Sequence, residues 1–329
     1  MSKELLVILG PTATGKTDLG LNLAKKFNGE LVAADSRQVY IGLDIGTGKL
    51  PSRSWKMEDR RWKKEKGFWE IDGVKVWMYD VVNLETQYSV ADYIKDAETI
   101  IEDIIERGKL PIVVGGTGLY IKALLEGLDN LKIPVDLALR GELEKLCLEE
   151  LRKKLKSLSP IKWKSLNESE RKNSRRLLRA IEIVSMNPYV NKCQKSKVKS
   201  QNWGVLKIGL TASREALYKN SDIRVIDWFK KGIIEEVKNF NKSSIPLERF
   251  KDLGLEYKLI ASYLNNEIPI KDLIEKIQFD IHGYIRRQLT WFKKDTDINW
   301  FDITEKKSLG ELEKFVRIWY DSGAYAKKN

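Results

Sequence analysis

The sequence predicts an α/β fold: a mostly parallel sheet with helices on both faces, interrupted by a mostly helical insertion. Three observations predict it. Apolar runs at residues 4–10, 31–35 and 110–116 are short and unbroken, as in strands buried on both sides. Each ends in a glycine-rich or polar segment, and helical patterns separate them, which is the order of βαβ units. From about residue 136 to 185 the strand signals stop and helical periodicity takes over.

Taken in order, residues 4–10 form the first buried strand and run into a glycine-rich turn. Leu19, Leu23 and Phe27 then mark one face of a helix. A second strand at 31–35 ends at Asp35. Between about 50 and 80 the chain is charged and tryptophan-rich, and 69–76 reads as a hairpin turning at Asp72-Gly73. Val90, Tyr93, Ile94, Ala97, Ile101, Ile104 and Ile105 make the stripe of a long helix over about 90–107, stopped by Gly108. The third strand follows at 110–116. Residues 136–185 read as helices with a break at Ser159-Pro160, 189–204 as a connecting loop, and 205–212 as a strand. The rest is helical, with a short last strand at 298–302. The expected division is a catalytic core of 1–127 and 204–329 with an insertion at 128–203. In an open parallel sheet the active site belongs at the carboxyl ends of the strands.

Composition narrows the chemistry. The chain has 329 residues and a net charge of +12, an excess that usually faces a polyanion. From Arg140 to Ser200 there are 17 Lys or Arg against seven Glu, a surplus of ten. Asn167 and Glu170 form a capping box for the next helix, on which Arg171, Lys172, Arg175, Arg176 and Arg179 share a side opposite Leu177, Leu178, Ile181 and Val184. Such a run of cations fits a phosphate-binding face; a solvated surface is the other reading. His282 is the single histidine, which argues against histidine-built metal sites and a Ser-His-Asp triad. Cys147 and Cys193 lack C-x-x-C spacing and are expected to be packing residues in a reducing cytoplasm. No run approaches the ~20 apolar residues of a membrane helix, so no membrane role is expected.

Gly10-Pro11-Thr12-Ala13-Thr14-Gly15-Lys16-Thr17 matches the phosphate-loop pattern G-x-x-x-x-G-K-[ST] in its required place between strand and helix. Its backbone N–H groups would cradle a di- or triphosphate at the helix N-terminus, with Lys16 as a point charge and the Thr17 hydroxyl suited to Mg²⁺. The fold is therefore expected to resemble P-loop NTPases. Asp35 would project beside this loop, as a proton acceptor or as an ordinary turn aspartate. Val114-Gly115-Gly116-Thr117-Gly118 follows the third strand, either to admit a ligand to the backbone or as a tight turn. A nucleotide hydrolase would end such a strand in an aspartate; this one ends in glycine.

The phosphate loop, the run Asp35-Ser36-Arg37-Gln38-Val39-Tyr40 through Gly46-Thr47-Gly48-Lys49, and Val114 to Tyr120 closely resemble, in order and spacing, the tRNA dimethylallyltransferase (isopentenyltransferase) family. The resemblance resumes at Arg175 to Glu182, at Leu253-Gly254-Leu255-Glu256-Tyr257 and at Arg287 to Phe292. It implies a monomeric enzyme of bacterial type that moves a dimethylallyl group from dimethylallyl diphosphate to N6 of the adenosine 3′ to the anticodon. By matching position, Asp35 would be the general base and Thr117 would place the reacting groups. Lys16, Arg224 and Mg²⁺ on Thr17 would neutralise the leaving diphosphate. Asp35, Ser36, Arg37, Gln38, Thr117, Arg140, Arg175, Arg176, Leu177, Leu178 and Arg179 would contact the tRNA anticodon stem-loop, with the target base flipped out.

The chain departs from the family pattern in places. Asn220 stands where an arginine one turn before Arg224 is common, and Met186-Asn187-Pro188 replaces a T-G-K segment. The tryptophan-bearing hairpin resembles an insertion; its rings would either stack on RNA or cover a sheet edge. Rival functions are a P-loop small-molecule kinase, which leaves the cationic insertion unexplained, and a prenyltransferase for free adenine nucleotides, which needs no tRNA grip.

Overall fold

The computed structural model describes residues 3–49, 62–128, 133, 135–186, 203–242, 245–305 and 307–323. The chain divides into two compact units, one of residues 1–124 with 201–329 and one of residues 125–200.

The larger unit is built on an eight-stranded sheet. In chain order its elements begin β1 (Lys3–Leu9), α1 (Lys16–Lys26), β2 (Gly29–Ala34), β3 (Trp62–Glu65), β4 (Gly67–Ile71), β5 (Val74–Tyr79), α2 (Val90–Glu106), β6 (Leu110–Gly115) and α3 (Gly118–Glu126). The strand order is β3-β4-β5-β2-β6-β1-β7-β8, where β7 is Trp203–Thr211 and β8 is Asn299–Asp302. From β5 to β8 every pairing is parallel. All residues of β2 and β6 are buried, so both faces of the central strands are covered, as their unbroken apolar runs require. The stripe on α2 is also realised: Tyr93, Ile94, Ala97, Ile101 and Ile104 are buried, and Ser89 caps the helix in a capping box with Asp92.

The hairpin read from Asp72-Gly73 is β4–β5. Both turn residues have positive φ, 50° and 79°, the type I′ geometry that Asp-Gly favours. A further strand, β3, pairs antiparallel with β4 and was not expected, because Lys63 and Lys64 sit on an exposed edge without apolar alternation. The segment at 50–61 lies outside the described residues.

The smaller unit holds α4 (Leu137–Leu143), α5 (Leu148–Leu158), α6 (Pro160–Ser165), α7 (Glu168–Arg171) and α8 (Ser174–Met186). Ser159 ends α5 and caps α6, with Pro160 at its first position. Leu143, Leu151, Leu155, Leu177, Leu178, Ala180, Ile181 and Val184 form the unit's core. The capping box at Asn167 starts only the four-residue α7, so Arg171 and Lys172 do not lie on the helix that carries Arg175, Arg176 and Arg179. Cys147 is not a packing residue; it is exposed at the cap of α5. Cys193, the loop expected at 189–204 up to residue 202, Asn187 and Pro188 lie outside the described residues. The larger unit is completed by α9 (Arg214–Lys230), α10 (Ile233–Lys242), α11 (Leu247–Leu253), α12 (Leu255–Leu264), α13 (Ile270–Phe292) and α14 (Ser308–Ser322). Among the described residues, no helix is long and apolar enough to cross a membrane.

A charge network ties β2, β5 and α2 at one place on the sheet. The buried Glu30 carboxylate accepts from both terminal nitrogens of Arg107 at 2.7 and 2.8 Å, from Lys109 at 2.8 Å and from Trp77 Nε1 at 2.7 Å. Burial alone would raise its pKa, but the hydrogen bonds from Arg107, Lys109 and Trp77 outweigh it and bring the carboxyl down to about 2. Its contribution to stability is therefore complete above about pH 4.5 and fades as the pH falls through about 2. Glu30→Gln should cost about 2–3 kcal/mol near neutral pH, less than for a fully enclosed pair because the two cations remain partly in water. In denaturant titrations, the deficit of the variant should shrink between pH 4.5 and pH 2. A deficit independent of pH would reject the ionic account.

Candidate active site

The carboxyl ends of β1, β6 and β2 lie side by side, and the segments leaving them open onto one cavity of about 780 Å³. The phosphate loop leaves β1, Gly115-Gly116-Thr117 leaves β6 and Asp35 leaves β2. Arg224 of α9 and Tyr284 and Gln288 of α13 line the same cavity.

At Gly10 the backbone has φ 139° and passes so close to β7 that a Cβ would collide with the Leu210 carbonyl oxygen; only glycine permits that turn. The loop ends at Gly15, itself left-handed, and Lys16 opens α1. The Lys16 ammonium lies across the loop, donating to Pro11 O at 2.6 Å, with Thr14 Oγ1 at 3.5 Å. Burial, then the charge of Arg224, depresses its pKa to about 7, against the opposing pull of Asp35. Arg224 donates to Thr12 Oγ1 at 3.1 Å and lies 5.2 Å from the Trp228 ring centroid. Burial pushes its pKa down too, with Glu256 and Asp35 opposing. Both cations line the same cavity, and burial disfavours the charged form of each. The Thr17 hydroxyl bonds to buried Tyr79 and faces the cavity with Asp18.

Asp35 sits at the cavity wall. Its Oδ1 accepts from the Arg37 backbone N at 2.9 Å, so it is a turn aspartate that also lines the cavity. Thr117 Oγ1 accepts from Ser36 N at 3.2 Å and bonds to Tyr284. Burial and then the Asp35 charge push the Tyr284 phenol up to about 12, which keeps it a neutral hydrogen-bonding group. Arg37 is turned away from solvent: its Nε and Nη2 donate to Leu253 O and its Nη1 pairs with Glu256 at 3.3 Å. Gln38 is buried, with its amide spent on Thr47 O. Ser36 is exposed, and Asn220 lines the cavity one turn before Arg224.

Three site residues carry no role that the sequence alone assigns. Gln288 accepts from Thr12 N and donates to Gly116 O, both at 2.9 Å, and so joins the phosphate loop to the loop after β6. Its only signal is membership of the Arg287–Phe292 motif. Glu256 and Tyr284 likewise give no chemical signal apart from the motif holding Glu256.

In the smaller unit the cations divide. Arg175 and Arg176 are exposed, the latter 3.5 Å from Glu170. Arg179 is half-buried and bonds to Ile133 O at 2.7 Å and Glu182 at 3.1 Å. Arg140 grips both oxygens of the same fully buried Glu182, at 2.6 and 3.0 Å. Leu177 and Leu178 are in the core, so their side chains cannot meet RNA as expected; the 3.6-residue period that puts the arginines out puts them in. Lys172 pairs with Glu168, and Arg171 lies over the Trp163 ring.

A family model described as IPP transferase matches residues 38–295. The tRNA dimethylallyltransferase of Bacillus cereus (strain B4264) is 35% identical over 320 residues, 95% of this chain and 94% of that protein. The crystal structure of full-length tRNA isopentenylpyrophosphate transferase from Bacillus halodurans superposes with a TM-score of 0.69 at 31% identity, covering 99% of both chains. A eukaryotic dimethylallyltransferase acting on tRNA reaches a TM-score of 0.75 over 97% of this chain and 79% of its own. Its 23% identity makes that a likeness of fold.

The depressed Lys16 has a measurable consequence. An anion binds the ammonium form, so binding above about pH 7 must take up a proton. Calorimetry of inorganic pyrophosphate at about pH 8.5, in buffers of different ionisation enthalpy, should show about one more proton taken up by the parent chain than by Lys16→Met. Equal uptake by both would place the titration elsewhere.

Proposed function

The chain belongs to the IPP transferase family that contains the tRNA dimethylallyltransferases, and from that premise we propose how its cavity carries out tRNA prenylation. The carbon–oxygen bond between the allylic carbon and the diphosphate breaks, and a bond from adenosine N6 to that carbon forms. The N6 proton passes to the Asp35 carboxylate, and the diphosphate leaves. The observation that carries this reading is that the phosphate loop, Asp35 and Thr117 share one cavity, while β6 ends in glycine where a hydrolase places a metal-binding aspartate.

Each group has a part that its position supports. Thr12 to Thr17 and Arg224 hold the diphosphate, and charge growing on the leaving oxygen falls between Lys16 and Arg224. The Thr117 hydroxyl, fixed by Ser36 N and Tyr284, orients the incoming amine. Ile45, Val114, Ile223, Trp228 and Ile281 supply apolar lining that shields a cationic allylic carbon from water. Among the described residues no cluster of three metal-ligating side chains is found. The donor set fits Mg²⁺, which keeps several waters and binds mainly through substrate phosphates; the Thr17 hydroxyl would hold it. Bound there, Mg²⁺ would screen the diphosphate charge. Of the four arginines, Arg175 and Arg176 are exposed and could meet tRNA phosphates, whereas Arg140 and Arg179 act inside the smaller unit as struts on Glu182. A cytoplasmic monomer acting on the anticodon stem-loop belongs to the same reading.

The deciding experiment incubates the protein with dimethylallyl diphosphate and either tRNA or AMP, followed by mass analysis of the nucleosides. Prenylated adenosine from tRNA alone supports the proposal; a product from AMP alone, or a phosphorylated product, rejects it. Asp35→Ala should lower the transfer rate by about 10²–10⁴-fold with tRNA binding nearly intact. Replacing Arg175 and Arg176 together by Ala should weaken tRNA binding and lessen its salt dependence by about one unit of slope for each phosphate no longer neutralised. Arg179→Ala should instead lower the melting temperature, since it strips a partner from a buried carboxylate.

A further inference from the structure

We propose that the tryptophan-bearing hairpin β3–β5 is a buttress for the loop 36–49 at the cavity wall, and that Lys49 is the positioning residue that carries its support to Arg224. Lys49 is fully buried, and its ammonium donates to Tyr40 O at 2.6 Å, Asp44 Oδ1 at 3.3 Å and Asp80 Oδ1 at 2.5 Å. That accounts for all three of its protons. Asp80, just past β5, accepts from Trp69 Nε1 of β4 at 2.6 Å through its other oxygen. The second oxygen of Asp44 pairs with Lys64 of β3. Two cations and two carboxylates thus cancel in charge, and each strand of the hairpin, or the residue after it, supplies a group.

The backbone follows the same line. Asp80 N donates to Gln38 O and Val81 N to Val39 O, at 3.2 and 2.8 Å. Met78 and Asp80 hold positive φ, 69° and 54°, which non-glycine residues adopt at a cost that neighbours must offset. From the opposite side, Glu236 of α10 accepts from Asp44 N and Ile45 N at 2.8 Å each, and from the Tyr257 hydroxyl at 2.9 Å. The loop is held between the hairpin and α10.

What the loop supports is Arg224. Gly48 has φ 71° and packs against the guanidinium so closely that a Cβ would collide with Nη2. Lys49 is its neighbour in the chain, so fixing Lys49 fixes the surface on which Arg224 rests. Within the hairpin, Trp69 is 1% exposed and Trp77 donates its N–H to Glu30, whereas Trp62, stacked on Trp69 beside Lys64, remains exposed.

The test compares the full chain with Lys49→Met and with Trp69→Phe, which keeps an aromatic ring and deletes the N–H. Melting temperatures identify conditions under which each variant is folded. In both variants, calorimetry should find inorganic pyrophosphate bound about fivefold or more weakly, and hydrogen exchange at residues 40–48 should be faster. The KM for dimethylallyl diphosphate should rise with kcat little changed, while tRNA affinity and its salt slope stay at parental values. Unaltered exchange and pyrophosphate affinity, or a loss confined to tRNA binding, would overturn the proposal. The kinetic arm rests on the prenyl-transfer reading; the exchange and pyrophosphate arms do not, so a parent chain without prenyl transfer would leave them decisive.

Discussion

The parallel alignment of β2, β6 and β1 is the constraint on which the rest of the molecule depends. Because the three strands point the same way, the segments leaving them emerge on one edge of the sheet. That edge receives a loop of backbone N–H groups, a pair of glycines followed by a threonine, and a carboxylate, all within one cavity. Glycines allow the close approaches at this edge: a Cβ at Gly115 of β6 would collide with Ala34 O of β2, and one at Gly10 with Leu210 O of β7. Gln288 then bridges two of the three segments from a helix much later in the chain.

Buried charge follows two different rules in this protein. At the cavity, Lys16 and Arg224 are driven towards their neutral forms by burial and, for Lys16, by its cationic neighbour, a cost that an anion relieves. Elsewhere the buried ions are matched: Glu30 with Arg107 and Lys109, Glu182 with Arg140 and Arg179, Lys49 with Asp44 and Asp80. Matched groups hold structure, whereas the incompletely balanced pair at the cavity is what the proposed diphosphate site rests on.

Much of this is legible in the sequence. Unbroken apolar runs locate β1, β2 and β6, and the phosphate-loop spacing locates the cavity, because both follow from local periodicity and backbone requirements. Asp-Gly locates the β4–β5 turn. The edge strand β3 is hidden because its lysines carry no alternating pattern. Which arginines stay exposed and which brace a buried carboxylate is hidden for another reason. A cationic run looks the same whether its carboxylate partner is near or absent, and Glu182, close by in the chain, gains meaning only once its burial is known. Gln288, Glu236 and Lys49 act beyond the reach of any periodic pattern, through side chains whose partners lie in other elements.

The late arrival of Arg224 and Gln288 bears on how the protein is made. The phosphate loop leaves the ribosome well before β7, which flanks β1 and begins only at Trp203. Until then β1 has a bare edge, and the loop lacks the bridge that α13 brings. Assembly of the complete cavity must therefore wait until α13 has been made, and a chain released before then would carry a phosphate loop without that bridge, keeping its own Thr14 and Lys16 contacts to Pro11.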